Sequence, residues 1–179
     1  MRQAVARLWA VATSLLVMAV APGPPLPGQR GPQTARPEST RLEPARSILR
    51  RLVGTWRFEI WFAGNFDAEP DASGTRLVTT LFDDLRLQWI EELDHSPIQV
   101  RGIIGFDPQR GRFFWSTVSS AGSGAELMTG TLDSAEPLLT FRAIADSADQ
   151  AFALVLLDAD HFRSAALDHS WRAMFTRRP

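Results

Sequence analysis

From Leu52 onward the chain alternates between apolar and polar positions. In Leu52-Val53-Gly54-Thr55-Trp56-Arg57-Phe58-Glu59-Ile60-Trp61-Phe62, residues Trp56, Phe58, Ile60 and Phe62 share one parity. Arg57, Glu59 and Trp61 share the other. Successive side chains of a strand point to opposite faces, so the first set is predicted to face a core and the second mostly water. Gly54 lets the backbone bend where this strand opens.

The alternation recurs. Residues 74–82 form a second segment, with Thr75, Leu77, Thr79 and Leu81 set against Arg76, Val78, Thr80 and Phe82. Asp83-Asp84 is a tight-turn signal. In the third segment Leu85, Leu87, Trp89 and Leu93 share a side, and Glu91 is the one charged residue of that parity. After the Asp94-His95-Ser96-Pro97 turn, Ile98, Val100, Gly102, Ile104 and Phe106 share a face. Asp107-Pro108-Gln109-Arg110-Gly111 has the Pro and Gly of a hairpin loop, and Phe113, Trp115 and Thr117 follow. Strands are further predicted at 126–132, 138–144, 151–157, 161–167 and 170–177. Many short strands at regular spacing, with no long amphipathic helix, predict an all-β protein: a closed antiparallel up-and-down barrel of about ten strands. A β-sandwich is the main alternative. An outer-membrane barrel would need an apolar outer face. The outward set here includes Arg57, Glu59, Arg86, Gln88, Glu92, Gln99, Arg101, Arg142 and Arg172, which belongs in water.

The pattern is different before the barrel. Residues 47–51 read as a short helical turn leading into the first strand, which puts the barrel domain at 47–179. Residues 22–46 are rich in Pro, Gly, Arg and Thr and have little to bury, so they read as a disordered or extended linker whose deletion should leave stability nearly unchanged. Residues 1–21 read as a secretory signal: Arg2 and Arg7 precede an apolar run from Leu8 to Val20, shorter than a membrane span needs. Cleavage fits after Val17-Met18-Ala19 or after Ala19-Val20-Ala21. The first is preferred because Pro22 follows the second. The expectation is an exported protein, periplasmic or secreted, with no stable membrane span once the signal is cut.

Composition removes several chemistries. All 19 basic residues are Arg, so there is no lysine nucleophile or Schiff base. Cysteine is absent, which excludes disulfides, thiolate metal sites, iron–sulfur clusters and a lipidated cysteine anchor. The net charge of −1 supplies no basic field for nucleic acid. No serine sits in a nucleophile-elbow pattern, and no glycine-rich loop leads from a strand into a helix.

Four stretches together carry a family resemblance. They are Leu52-Val53-Gly54-Thr55-Trp56; Gly105-Phe106-Asp107 with Arg112-Phe113-Phe114-Trp115; Gly130-Thr131-Leu132 with Leu139-Thr140-Phe141; and Trp171-Arg172-Ala173-Met174-Phe175-Thr176-Arg177-Arg178. In this order they resemble a family of uncharacterised bacterial proteins with a lipocalin-like, or calycin-type, barrel and no known function. The helix followed by Gly-x-Trp is similar to the opening of lipocalin-type barrels. Closure of the barrel needs the first and last strands to pair, which brings Arg177 near Trp56; the resemblance implies that Arg177 packs across that ring, while Arg178, of opposite parity, points to water. Haem proteins with a related ten-stranded barrel also open on Gly-Thr-Trp and ligate iron through one histidine. This chain departs from them at Arg57-Phe58-Glu59, where they carry a glycine, so haem held by His161 or His169 is an alternative and no cofactor is the main expectation.

The remaining candidates follow from parity. Trp56, Phe58, Trp89, Trp115, Phe141, Phe152, Trp171 and Phe175 are inward aromatics, and Glu91, Thr117 and Glu126 are inward polar residues. They make either a filled core or a pocket for a small apolar or amphipathic ligand, with Trp56, Phe58, Trp89, Glu91, Trp115, Thr117, Phe141 and Trp171 as its candidate lining. Burying Glu91 or Glu126 without a partner is costly, so a wet interior or a local bulge is expected. Adjacent Glu91 and Glu92 point to opposite faces and cannot act as one acid/base pair. No catalytic constellation and no metal cluster emerges. An enzyme using an interior carboxylate is the remaining and unsupported alternative. His161 and His169 fall at opposite ends of the last predicted hairpin, with either a mutual approach or a shared barrel mouth as the expectation, and His95 reads as a turn residue.

Overall fold

The computed structural model describes residues 39–122, 124–133, 138–144 and 150–179. The expected signal segment lies outside these residues. The described chain opens with helix α1 (Ser39–Leu52). Ten strands follow: β1 (Gly54–Phe62), β2 (Ala72–Thr80), β3 (Arg86–Leu93), β4 (Gln99–Asp107), β5 (Arg112–Ser119), β6 (Ala125–Leu132), β7 (Leu138–Ala143), β8 (Ala151–Leu156), β9 (His161–Ala166) and β10 (Trp171–Arg177). Each strand pairs antiparallel with its sequence neighbour, and β1 pairs with β10 to close the ring. The described residues are thus all-β apart from one helix, a closed up-and-down barrel.

The two ends of the barrel differ. The end where β1 begins is sealed. Ala45, Ile48, Leu49 and Leu52 recur at helical spacing on one face of α1 and join Leu85, Phe106 and Phe162 in one buried cluster. Cations fix the helix in place. Arg46 and Arg50 bond Asp84 in the β2–β3 turn at 3.2 and 2.9 Å. Arg51 donates to the Asp158 carbonyl between β8 and β9 at 2.9 Å.

This helix corrects the sequence reading. Residues 39–46, expected to be the end of an extended linker, are helical, and Ala45 is fully buried. Composition misled here because Pro44 reads as a breaker. In the helix it forgoes one backbone bond, and burial of the apolar face offsets that loss. Deleting residues 22–46 would therefore remove part of the barrel's lid.

The seam is fixed by Arg177. Trp56 lies opposite Arg177 in the β1–β10 register. The Arg177 guanidinium carbon sits 4.2 Å from the Trp56 ring centroid. Its Nη1 and Nη2 donate to the carbonyls of Val53 and Arg51 at 2.7 and 2.8 Å, and its Nε to that of Ala159 at 3.0 Å. Carbonyls left over at a helix C-terminus thus find a cationic donor. Trp56 Nε1 donates to the Leu52 carbonyl at 2.8 Å. Gly54 adopts φ +137°, and a Cβ there would stand 2.4 Å from Arg177 Nη1, so both backbone and packing require glycine.

The second strand differs from its sequence reading in extent and shows which parity is inward. It begins at Ala72 and ends at Thr80, leaving Phe82 82% exposed in the following turn. Of its two parities, the one carrying Leu77 faces out, with Leu77 45% exposed, and the one carrying Arg76 and Val78 faces in.

Candidate functional site

Opposite the sealed end the barrel opens on a cavity of about 390 Å³. Its walls are mainly apolar. Phe58 and Ile60 come from β1, Trp89 from β3, Trp115 from β5, Phe152 and Leu154 from β8, and Trp171 and Phe175 from β10. The aromatic rings form a continuous belt: Trp89 to Trp115 at 5.1 Å between centroids, Trp115 to Phe152 at 5.3 Å, and Phe152 to Trp171 at 5.9 Å. Such rings contribute large contact area with few rotatable bonds. Trp89 fits because β4 offers no side chain beneath it: a Cβ on Gly102 would stand 2.3 Å from the indole.

An ion pair is set into this apolar wall. Arg76 and Glu91 are only 9% and 6% exposed, and both line the cavity. They face each other across the β2–β3 register. Arg76 Nε donates to Glu91 Oε1 at 2.7 Å, and Nη2 reaches the same oxygen. The guanidinium also lies between rings, 4.5 Å from the Trp89 centroid and 4.4 Å from that of Phe175. The pair answers the question raised by the inward parity of Glu91: a carboxylate that would be costly to bury alone has a cation beside it. The aromatic faces in turn favour the cation.

Neutral polar groups complete the interior. Trp115 Nε1 donates to Thr117 Oγ1 at 2.5 Å, and the buried Ser164 also faces the cavity. Trp89 Nε1 is sealed from solvent with no hydrogen-bond partner among the described residues. Toward the mouth stand Glu126, Gln150, Asp168 and Ser170. Burial pushes the Glu126 carboxyl above its ordinary range, because lost hydration disfavours the charged form. The Ser170 hydroxyl and backbone N–H hold Asp168 below its ordinary range.

Of the residues singled out from the sequence, Phe58, Trp89, Glu91, Trp115, Thr117 and Trp171 line the cavity, as does Glu126. Two do not. Trp56 is buried at the sealed end against Phe162, 4.7 Å between centroids. Phe141 lies fully buried, stacked on Phe152 at 5.0 Å, and is covered by it. Alternation reports which face a side chain takes and not its height along the barrel axis, so it does not separate these two inward rings from the lining.

The histidines are also placed differently from the expectation. His161 begins β9 at the sealed end, half-buried, with Nδ1 2.9 Å from Asp158 Oδ1. His169 lies one strand length away in the β9–β10 turn, with φ +60°, at the open end. They neither meet nor share a mouth. Neither they nor His95 belong to the cavity lining. An axial ligand must reach into the pocket that holds the macrocycle, and neither His161 nor His169 does so here. Among the described residues, no group of three or more His, Asp and Glu side chains gathers as metal ligands.

Arg76 is the site residue the sequence reading missed. It had a signal: Val78 shares its parity, and Glu91 shows an unmatched inward charge on the next strand. A buried acid on one strand of an antiparallel pair asks for a base opposite.

Residues 42–154 match the family model described as a protein of unknown function, DUF1579. The chain belongs to this DUF1579 family. The matched span runs from α1 to within β8 and includes Arg76, Trp89, Glu91, Trp115 and Thr117. No curated protein matches the chain. Among the described residues, no helix is long and apolar enough to cross a membrane.

Proposed function

We propose that this DUF1579 protein is an exported carrier or sensor that holds one small apolar or amphipathic molecule inside its barrel. The observation that carries this reading is the open cavity of about 390 Å³, walled by aromatic rings and containing a few fixed polar groups. Its size lies within the roughly 300–1,000 Å³ typical of small-molecule sites, and its mixture of apolar wall and convergent polar atoms is typical too. The barrel is of lipocalin-like type in this reading, supported by the helix ahead of Gly54-Thr55-Trp56 and by Arg177 packed on Trp56 at the seam. Export is supported by Arg2, Arg7 and the short apolar run that follows.

Native mass spectrometry of protein purified from its own host tests the binding reading. A co-purifying mass of lipid-like size, lost on denaturation, is the expected result. An empty barrel that also fails to change its tryptophan emission with any medium-chain amphiphile would overturn it. N-terminal sequencing tests export: the mature chain should begin at Val20 or Pro22 outside the cytoplasm, and an intact Met1 on a cytoplasmic protein would sink the idea.

A further inference from the structure

Resting on that binding reading, we infer that the cavity selects a neutral head group that both accepts and donates hydrogen bonds, an amide or an alcohol, over a carboxylate or other anion. The inference starts from how the Arg76–Glu91 pair is wired. Arg76 Nε and Nη2 both address Glu91 Oε1. Arg76 Nη1 and Glu91 Oε2 make no hydrogen bond with any described residue. They are also not among the atoms sealed from solvent without a partner, a condition met by Trp89 Nε1. Both residues line the cavity, so one unused donor and one unused acceptor are left to its occupant.

An anionic head could use the donor, but it would meet the acceptor as a like charge. A head with both functions satisfies the two atoms together. A site built on hydrogen-bonding groups discriminates against a molecule that leaves one of them unpaired. The composition of the lining points the same way: it holds one guanidinium and three carboxyl groups, those of Glu91, Glu126 and Asp168. Ser164 and Thr117 add hydroxyls of no charge.

Decanamide and decanoate share a chain and differ in the head, and Trp89 and Trp115 in the wall report on either by fluorescence. The full-length protein, with its signal removed, is titrated with each at neutral pH. Decanamide should bind at least about tenfold tighter than decanoate. That gap alone could reflect the cost of desolvating any anion, so variants carry the decisive comparison. Glu91→Gln leaves the guanidinium unbalanced, and decanoate should gain at least about tenfold in affinity there. Because that variant can fail to fold, Arg76→Met/Glu91→Leu is measured as well: it replaces the pair by apolar groups and should lose decanamide affinity by about tenfold. Decanoate binding as tightly as decanamide to the unaltered protein would overturn the head-group inference and leave the binding reading intact. Head preference unchanged in both variants would do the same. Binding of neither amphiphile would overturn both.

Discussion

Arg177 lies over Trp56, its guanidinium carbon 4.2 Å from the ring centroid, while its two terminal nitrogens donate to the carbonyls of Arg51 and Val53. One side chain thereby joins the last strand, the first strand and the end of the helix. Charged hydrogen bonds to carbonyls contribute about 1.5–3 kcal/mol each at most, and a cation over an indole about 0.5–2. Arg177→Ala should lower the unfolding free energy by about 2–3 kcal/mol in urea titrations. Lysine cannot reproduce the fork, so Arg177→Lys should recover less than half of the loss. The neighbouring Arg178 side chain is exposed, and Arg178→Ala should change stability by less than about 0.5 kcal/mol.

Gly54 and Arg177 should prove coupled. A methyl at position 54 meets both a left-handed backbone, φ +137°, and the Arg177 guanidinium at 2.4 Å. Gly54→Ala is expected to cost about 2–3 kcal/mol, of which the backbone part persists whatever faces it. In a double-mutant cycle with Arg177→Ala, the two losses should sum to more than the double variant shows, by at least about 0.5 kcal/mol. Strict additivity would show that the methyl does not displace the guanidinium.

Two interior tryptophans should respond differently to loss of their N–H. Trp115 Nε1 is bonded to Thr117 Oγ1, whereas Trp89 Nε1 has no partner among the described residues. Trp115→Phe takes a donor from a buried hydroxyl, at a cost of about 1–3 kcal/mol. Trp89→Phe gives up ring area but relieves an unsatisfied donor. Thermal unfolding should show Trp115→Phe more destabilising than Trp89→Phe by about 1 kcal/mol or more. The reverse order would mean that ring volume at Trp89 outweighs both hydrogen-bonding effects.

Glu126 sets a pH dependence whose sign can be worked out. Its carboxyl holds its proton more tightly in the folded protein than in the unfolded chain, because burial disfavours the charged form. Such a group contributes stability that is fully present below its unfolded pKa and is lost as pH rises through the folded one. Glu126→Gln removes that loss. The variant should be more stable than the parent at neutral pH, and the difference should shrink as pH falls through the ordinary glutamate range. Urea midpoints across pH 4 to 8 check this, and a difference that does not change with pH would refute it.

Much of the barrel is legible as alternation, because its core lies to one side of every strand and water to the other. The third segment shows this best: Leu87, Trp89 and Glu91 share a parity in the sequence and are all buried. The pattern is less informative where a charge is paired inside. Arg76 turns inward while Leu77 beside it is exposed, because Glu91 across the register makes burial of the arginine tolerable. Only pairing reveals that, and pairing is a property of two strands. Height along the axis is equally absent from the pattern, so alternation alone does not separate Trp56 and Phe141 from the cavity wall. The early start of α1 was hidden by Pro44, whose effect on a helix depends on how much apolar surface the neighbouring turns bury.

The β1–β10 seam has a consequence for how the molecule is assembled. Nine of the ten ladders join consecutive strands and can form locally as the chain grows, but the tenth joins strands from opposite ends of the barrel domain. Until Trp171–Arg177 arrives, the sheet has two raw edges, and the outer side of Trp56–Phe62 is an open template for another chain. Contacts so distant in sequence are slow to form, which lengthens the life of that exposed state. The final seven-residue strand is thus what turns a self-adhesive sheet into a surface without ends. A chain shortened before Trp171 would be lost to aggregation well before the rest of its fold had any reason to fail.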